Sequence, residues 1–169
     1  MVNIYNSVYT YGYLTGSYVR DKDAVNAAFM ICEMFAFYKT RNISLLQKLQ
    51  DIYSTYGCCL NTLHSYDFPG SAGMEKMAGI MRRFRAGMDN IAGLKIKKTL
   101  DYLPGLEGLP KSDVIKYEFE KNELEYGSVV VRPSGTEPKL KTYISVTAAD
   151  RTSAEKTEMQ IAADLEKMM

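Results

Sequence analysis

The sequence lacks what would carry a chain into or across a membrane. Its longest apolar run is too short and too interrupted to span a bilayer, which takes about 20 residues. Residues 1–10 show neither the basic start nor the apolar stretch of a secretory signal. Net charge is almost absent, because 21 Lys and Arg against 20 Asp and Glu leave +1. Such a balance exerts no long-range pull on nucleic acid or anionic lipid, so neither is expected as a partner, and any anion site has to be local. There are only three cysteines, Cys32, Cys58 and Cys59, an odd number with two adjacent. That is no disulfide framework, and small free thiols in a reducing cytoplasm are expected. A single histidine, His64, and no Cys/His pair at zinc spacing exclude a zinc module. No repeat or low-complexity tract is present. What is there is 169 residues, 46% hydrophobic and 24% charged. That suits one domain, or one small domain with part of another.

Residues 1–20 are rich in Tyr, Val, Thr and Ser with two glycines, and read as a short strand or loop. Asp21 or Asp23 opens a helix to about Lys39, since either carboxylate caps and complements a helix start. Its stripe of Val25, Phe29, Cys32 and Ala36 is joined by Ile31, Met34, Phe35 and Tyr38 outside it. A helix apolar nearly all round predicts burial on several sides. If its own domain is incomplete, the exposed apolar surface predicts a homodimer through the N-terminal helices. A second helix fits Ser44–Tyr56, with Leu45, Leu46, Leu49, Ile52 and Tyr53 inside and Gly57 as a left-handed cap. Residues 57–70 read as a loop or extended linker with His64 in it, and the domain boundary is placed at 66/67, near Pro69-Gly70-Ser71. A third helix spans Ser71–Ala86, with Met74, Met77, Ala78 and Met81 inside. Strands follow at Leu94–Asp101, Val114–Glu120, Val129–Val131 and Leu140–Val146. Alternation puts Ile115, Tyr117 and Phe119 on one face, as it does Leu140, Thr142, Ile144 and Val146. The last helix begins at Thr152 with Glu155 completing a capping box, and buries Ala154, Ile161, Leu165 and Met168. Residues 67–169 thus predict an α+β domain, a four-stranded, mainly antiparallel sheet with helices on one face.

Chemistry concentrates in Arg132-Pro133-Ser134-Gly135-Thr136-Glu137-Pro138-Lys139, between two strands. Arg132 offers a rigid fork of donors matched to phosphate oxygens. Ser134 and Thr136 offer hydroxyls. Gly135 lets the backbone come close, and successive N–H groups in such a turn form a concave anion nest. Lys139 adds a mobile positive charge, and Pro133 and Pro138 stiffen the flanks. Glu137 opposes an anion unless it points away. Loop chemistry alone leaves open a stiff hairpin whose polar residues are incidental, since polar residues dominate turns.

The octapeptide Arg132–Lys139, with the apolar strand Val129–Val131 before it, resembles the phosphate-binding loop of the phosphohexomutases, the phosphoglucomutase and phosphomannomutase superfamily. Tyr11–Leu14 and Val19–Val25 resemble the end of that family's third domain. Gly93–Ile96 with Asp101 and Tyr102 resembles the first strand of its fourth. The resemblance covers residues 11–169. It implies a remnant of the α/β third domain in residues 1–66, contributing two helices, and a phosphate-binding fourth domain, similar in fold to a TATA-box-binding protein repeat, in 67–169. These enzymes interconvert hexose 1-phosphate and hexose 6-phosphate through a phosphoserine and a bisphosphorylated sugar. The fourth domain would clamp the phosphate that is not reacting. By resemblance Arg132, Ser134, Gly135, Thr136 and Lys139 contact a phosphosugar, inorganic phosphate or sulfate.

The family's Thr-Ala-Ser-His-Asn-Pro serine motif and Asp-x-Asp-x-Asp-Arg magnesium loop have no counterpart, Asp21-Lys22-Asp23 being followed by Ala24. The sugar loop, Gly-Glu-Glu-Ser in the family, is replaced by Val8-Tyr9-Thr10. No catalytic or metal residue is therefore assigned. Magnesium belongs to a full-length parent enzyme, and the chain alone is expected to be inactive. The alternative is a free-standing phosphosugar-binding or interaction module without catalysis.

Overall fold

The computed structural model describes residues 23–106 and 108–169. The strand or loop expected in residues 1–20, the cap at Asp21, and the part of the resemblance before Asp23 lie outside the described residues. The chain divides into two compact units, residues 1–52 and 53–169. This division falls earlier than the expected 66/67 boundary.

In the first unit, helix α1 (Ala24–Lys39) is opened by Asp23, whose Oδ1 accepts from the Asn26 N–H at 2.9 Å. Only Ala27 is buried in it, while Phe29, Ile31, Phe35 and Phe37 are all exposed. The expectation of burial on several sides is therefore not met. An apolar stripe shows what a helix can bury, not that a cover is present. Helix α2 (Leu45–Tyr56) starts where Ser44 Oγ accepts from the Gln47 N–H at 3.0 Å. It ends at Gly57, whose N–H reaches Tyr53 O at 2.9 Å and whose φ of +84° is the predicted left-handed cap.

The second unit is an antiparallel sheet of strands β1 (Cys58–Asp67), β2 (Asn90–Ile91), β3 (Leu94–Asp101), β4 (Ile115–Asn122), β5 (Glu125–Pro133) and β6 (Lys139–Ala148). Their spatial order is β1-β6-β5-β4-β3-β2. Six strands correct the expected four, and β1 corrects the linker reading of residues 57–70. β1 pairs with β6 without a break from Cys58↔Ala148 to Asp67↔Lys139. Its helix-side positions are Cys58, Leu60, Thr62, His64 and Tyr66. Three of the five are polar or amphipathic side chains, so the period of two does not show as apolar alternation. His64 is thus a sheet residue. Its Nε2 lies 2.8 Å from Glu158 Oε1, which also accepts from Thr62 Oγ1 at 2.6 Å.

Helices α3 (Gly70–Arg85) and α4 (Arg151–Glu166) cover one face of this sheet. They enclose a single core built on Tyr117, Val129, Val131, Leu140, Ile144 and Val146, each at 0% exposure. Burying each such aliphatic side chain contributes about 1.5–3 kcal/mol. Within α3 the buried side chains are Ile80, Met81 and Phe84, and Met74 is exposed. The inward face is rotated towards the helix end relative to the expected Met74–Met81 set, because Phe84 and Ile80 bring more apolar area than the early methionines. α4 begins one residue before Thr152. Its cap is Asp150, which accepts from the Ser153 N–H at 2.8 Å, while Glu155 pairs with Arg151 at 2.7 Å. The expected Thr152/Glu155 box is replaced because aspartate, a stronger cap than threonine, stands two residues earlier.

Four carboxyls of this unit are held below their usual range. Lys116 hydrogen-bonds Glu118, Lys121 and then Thr157 hydrogen-bond Glu125, the Ser153 N–H and hydroxyl bind Asp150, and Lys167 and the Ala92 N–H bind Asp164. Each shift favours the charged form in the folded state. The associated stability is complete above the unfolded carboxylate range and is lost as pH falls through the folded values. The urea midpoint, followed by circular dichroism, should be flat from pH 7 to about pH 5 and fall steadily below about pH 4.5. A midpoint unchanged at pH 3 would show that these bonds are equally available to the unfolded chain.

Candidate functional site

The stretch singled out by sequence, residues 132–139, is the connection between β5 and β6. Its feet are fixed from below. Val131 and Leu140 are fully buried, and Pro133 pairs with Leu140 across the hairpin. Alternation then turns Arg132 to the sheet face opposite the helices. Arg132 pairs with Lys141, and Lys141 pairs with Ser65 of β1, so the three stand in one row. The bend is closed by its own backbone. The Ser134 N–H donates to Lys139 O and the Lys139 N–H to Glu137 O, both at 2.8 Å. The Phe68 N–H donates to Pro138 O at 2.8 Å, which ties the outgoing arm to the start of α3. Pro138 also restricts the backbone of Glu137 before it. The loop is therefore braced on both sides.

Several donors on this brace have no internal acceptor. The backbone N–H groups of Gly135, Thr136 and Glu137 take part in none of the hydrogen bonds among the described residues. The same is true of the Ser134 and Thr136 hydroxyls and the Arg132 guanidinium. Arg132, Gly135 and Thr136 are exposed and Ser134 is half-buried. Gly135 is not at positive φ, and a Cβ built on it would meet nothing within 4 Å. Neither backbone strain nor internal packing requires a glycine at this point.

Lys139 differs from the other predicted site residues. Its Nζ lies 3.2 Å from Glu137 Oε1 and 3.9 Å from Asp67 Oδ1, so its charge is partly answered within the chain. Glu137 Oε2 also lies 3.9 Å from Lys141 Nζ. Lys141 was not among the expected site residues. The strand period contained the signal, because burying Leu140 puts Lys139 and Lys141 on one face with Arg132. The structure thus brings together Arg132, Ser134, Gly135, Thr136 and Lys139, and adds Lys141 and Glu137 to them.

Elsewhere, the two depressions described lie away from this loop, one around Phe119 and Tyr126, the other around Tyr102 and Leu109. Arg85 at the end of α3 is claimed by Asp101 and Asp113, and the Tyr117 hydroxyl donates to Phe84 O. Burial pushes the Tyr117 phenol up to about 12. Among the described residues no group of three or more His, Cys, Asp or Glu could hold a metal ion. No described helix is long and apolar enough to cross a membrane.

Comparison with known proteins points the same way as the loop. Residues 82–163, which span β2 to β6 and most of α4, match the family described as "Phosphoglucomutase/phosphomannomutase, C-terminal domain". A phosphoglucomutase of Staphylococcus aureus strain MRSA252 is 37% identical over 153 residues, covering 83% of this chain and 27% of that protein. The phosphoglucomutase of strain N315 is 36% identical over 153 residues. The chain therefore spans about a quarter of the length of these relatives. In three dimensions it superposes on the open form of the Paramecium exocytosis-sensitive phosphoprotein pp63/parafusin, a phosphoglucomutase. The TM-score is 0.61 at 18% identity, over 94% of this chain and 28% of the other. That likeness carries the fold, and the sequence matches carry the family: the chain belongs to the phosphoglucomutase/phosphomannomutase family and corresponds to its C-terminal portion.

Proposed function

We propose that this chain supplies the phosphate clamp of a phosphohexomutase, gripping the phosphoryl group of a hexose phosphate that is not reacting. The observation that carries this reading is the set of unanswered donors on a braced hairpin: three consecutive N–H groups, two hydroxyls and one guanidinium, none with a partner in the described chain. A phosphate dianion presents three oxygens with lone pairs in several directions, and needs that number and spread of donors. The Arg132 fork takes two oxygens and fixes their plane. The N–H groups of Gly135 to Glu137 close on the third, and the Ser134 and Thr136 hydroxyls complete the shell. Because the brace is formed before the ligand arrives, little order has to be created on binding.

A mutase that moves a phosphoryl group between C1 and C6 must hold its sugar in two opposite orientations. A clamp that recognises only phosphate serves both, since either end presents the same group. Glucose and mannose phosphates are equally suited, the sugar ring being read elsewhere. This chain's part is binding and orientation. The three free thiols, Cys32, Cys58 and Cys59, support a reducing cytoplasm as the setting for that work.

The test is titration of the ¹⁵N-labelled chain with inorganic phosphate and with glucose 6-phosphate, followed by NMR. Saturable shifts are expected at Gly135, Thr136 and Glu137, and their absence at millimolar ligand would remove the assignment. Gly135→Ala sharpens it. A methyl there meets open space in the folded chain, so the melting temperature should stay unchanged. It should nevertheless stand in the phosphate's approach and weaken binding about tenfold, the 1.4 kcal/mol of one displaced hydrogen bond.

A further inference from the structure

Within the phosphate-clamp reading, on which this rests, one feature of the loop runs against the chemistry: a carboxylate sits inside it. We infer that Glu137 is a resident counter-anion, which occupies the lysine pair Lys139 and Lys141 while the site is empty and swings away when phosphate enters. Lys141 is thereby a further phosphate-binding residue of the clamp.

The geometry carries each part of this. The two oxygens of Glu137 divide between the two lysines, Oε1 at 3.2 Å from Lys139 Nζ and Oε2 at 3.9 Å from Lys141 Nζ. A carboxylate so placed offers the lysines what a phosphate would offer, two oxygens and negative charge. Lys139, Lys141 and Arg132 project to the same sheet face, and Lys141 stands directly across the ladder from Arg132. An anion held by Arg132 therefore lies beside the lysines as well. Like charge forbids carboxylate and phosphate from sharing them, so one must leave.

The loop permits the exchange without refolding. Pro138 and the three backbone hydrogen bonds of the bend hold the main chain. The Glu137 side chain is exposed, and no other hydrogen bond or ion pair restrains it among the described residues. Rotation about its own side-chain bonds frees Lys141 and leaves Lys139 with Asp67 Oδ1 alone, at 3.9 Å. Its N–H stays in place as one of the three unanswered donors, so one residue opposes the anion with its side chain and receives it with its backbone. The consequence is a weakened clamp. A mutase has to release and regrip the same phosphate, and a built-in competitor keeps the grip from becoming too tight.

The measurement is phosphate affinity by calorimetry on the full chain, with the Gly135 amide shift as a second readout. Removing a half-exposed pair of this kind should tighten binding only moderately, so Glu137→Gln is expected to improve the Kd for inorganic phosphate about threefold to tenfold at low salt. The gain should shrink as salt rises. In a Lys139→Gln/Lys141→Gln background it should disappear, because the carboxylate then has nothing to occupy. A weaker Kd in Glu137→Gln would mean that Glu137 positions the lysines, and would overturn the inference. An equal gain with and without the lysines would reduce it to a general charge effect, and would overturn it too. No binding by the parent chain would instead strike the clamp reading, so the two failures are separable.

Discussion

Arg132→Ala is expected to weaken phosphate binding about a hundredfold while leaving the melting temperature within about a degree of the parent. The two halves of that expectation come from one observation. The Arg132 guanidinium is exposed and makes no hydrogen bond or ion pair among the described residues. Nothing in the fold depends on it, and an exposed substitution of this kind shifts stability by about 0.5 kcal/mol or less. Towards phosphate the same group is the strongest donor available. Charge-assisted hydrogen bonds are worth about 1.5–3 kcal/mol, and 1.4 kcal/mol is tenfold in affinity. Arg132→Lys separates the fork from the charge. A lysine keeps the charge but loses the planar pair of donors, so it should recover part of the affinity and no more. Calorimetric titration with inorganic phosphate gives both numbers, and differential scanning fluorimetry gives the melting temperature. Binding within threefold of the parent in Arg132→Ala would show that the loop is a hairpin connection and nothing else.

The parts of this molecule that sequence could show are those where one local pattern has one cause. Asp23 is a cap because a carboxylate precedes an apolar run, and Gly57 ends α2 because only a glycine enters the left-handed region without strain. Ile115, Tyr117 and Phe119 alternate with charged residues, so β4 was legible. The hairpin of residues 132–139 stood out for a different reason: its octapeptide resembles a known phosphate-binding loop, whereas its composition alone left a plain turn open. What escaped depends on distant neighbours. β1 hides its period because Thr62 and His64 face inwards, and they can do so only because Glu158 of α4 is there to receive both. Residues 94 positions apart in sequence settle whether residues 58–67 pair or wander. The face of α3 was misread because Met74 and Phe84 are both apolar, and only the sheet beneath decides which one is covered. The same holds within the site. Arg132 and Lys139 could be named from the octapeptide, but the place of Lys141 beside Arg132 follows from the β5–β6 register. The interference of Glu137 follows from where two lysine side chains end. α1 marks a further limit, since its apolar surface was plain and its covering could not be.

The largest loss of stability is expected from the smallest side chain in β5. Gly127→Ala should cost at least about 3 kcal/mol, beyond most single substitutions. Gly127 lies in the row Phe119–Gly127–Val146 on the helix side of the sheet. A Cβ built there would stand 2.0 Å from Ser145 O and 2.7 Å from Phe119 Cζ. The ring is the far end of a side chain and could turn. The carbonyl belongs to β6, and moving it means parting β5 from β6 one pair in from the end of their ladder, beside the fully buried Val129 and Val146. At about 4–8 °C per kcal/mol for a unit near 100 residues, the melting temperature should drop by more than about 10 °C. A second substitution tells the two obstacles apart. Phe119→Leu shortens the ring and alone should cost about 1–2 kcal/mol. If the ring were the barrier, adding it to Gly127→Ala would recover stability. Because the carbonyl is the barrier, the double variant should melt no higher than Gly127→Ala alone. A loss under 2 °C in the single variant would mean that the two strands separate freely, and the rigid footing assigned to the phosphate loop, which stands on the end of this same pair, would have to be given up.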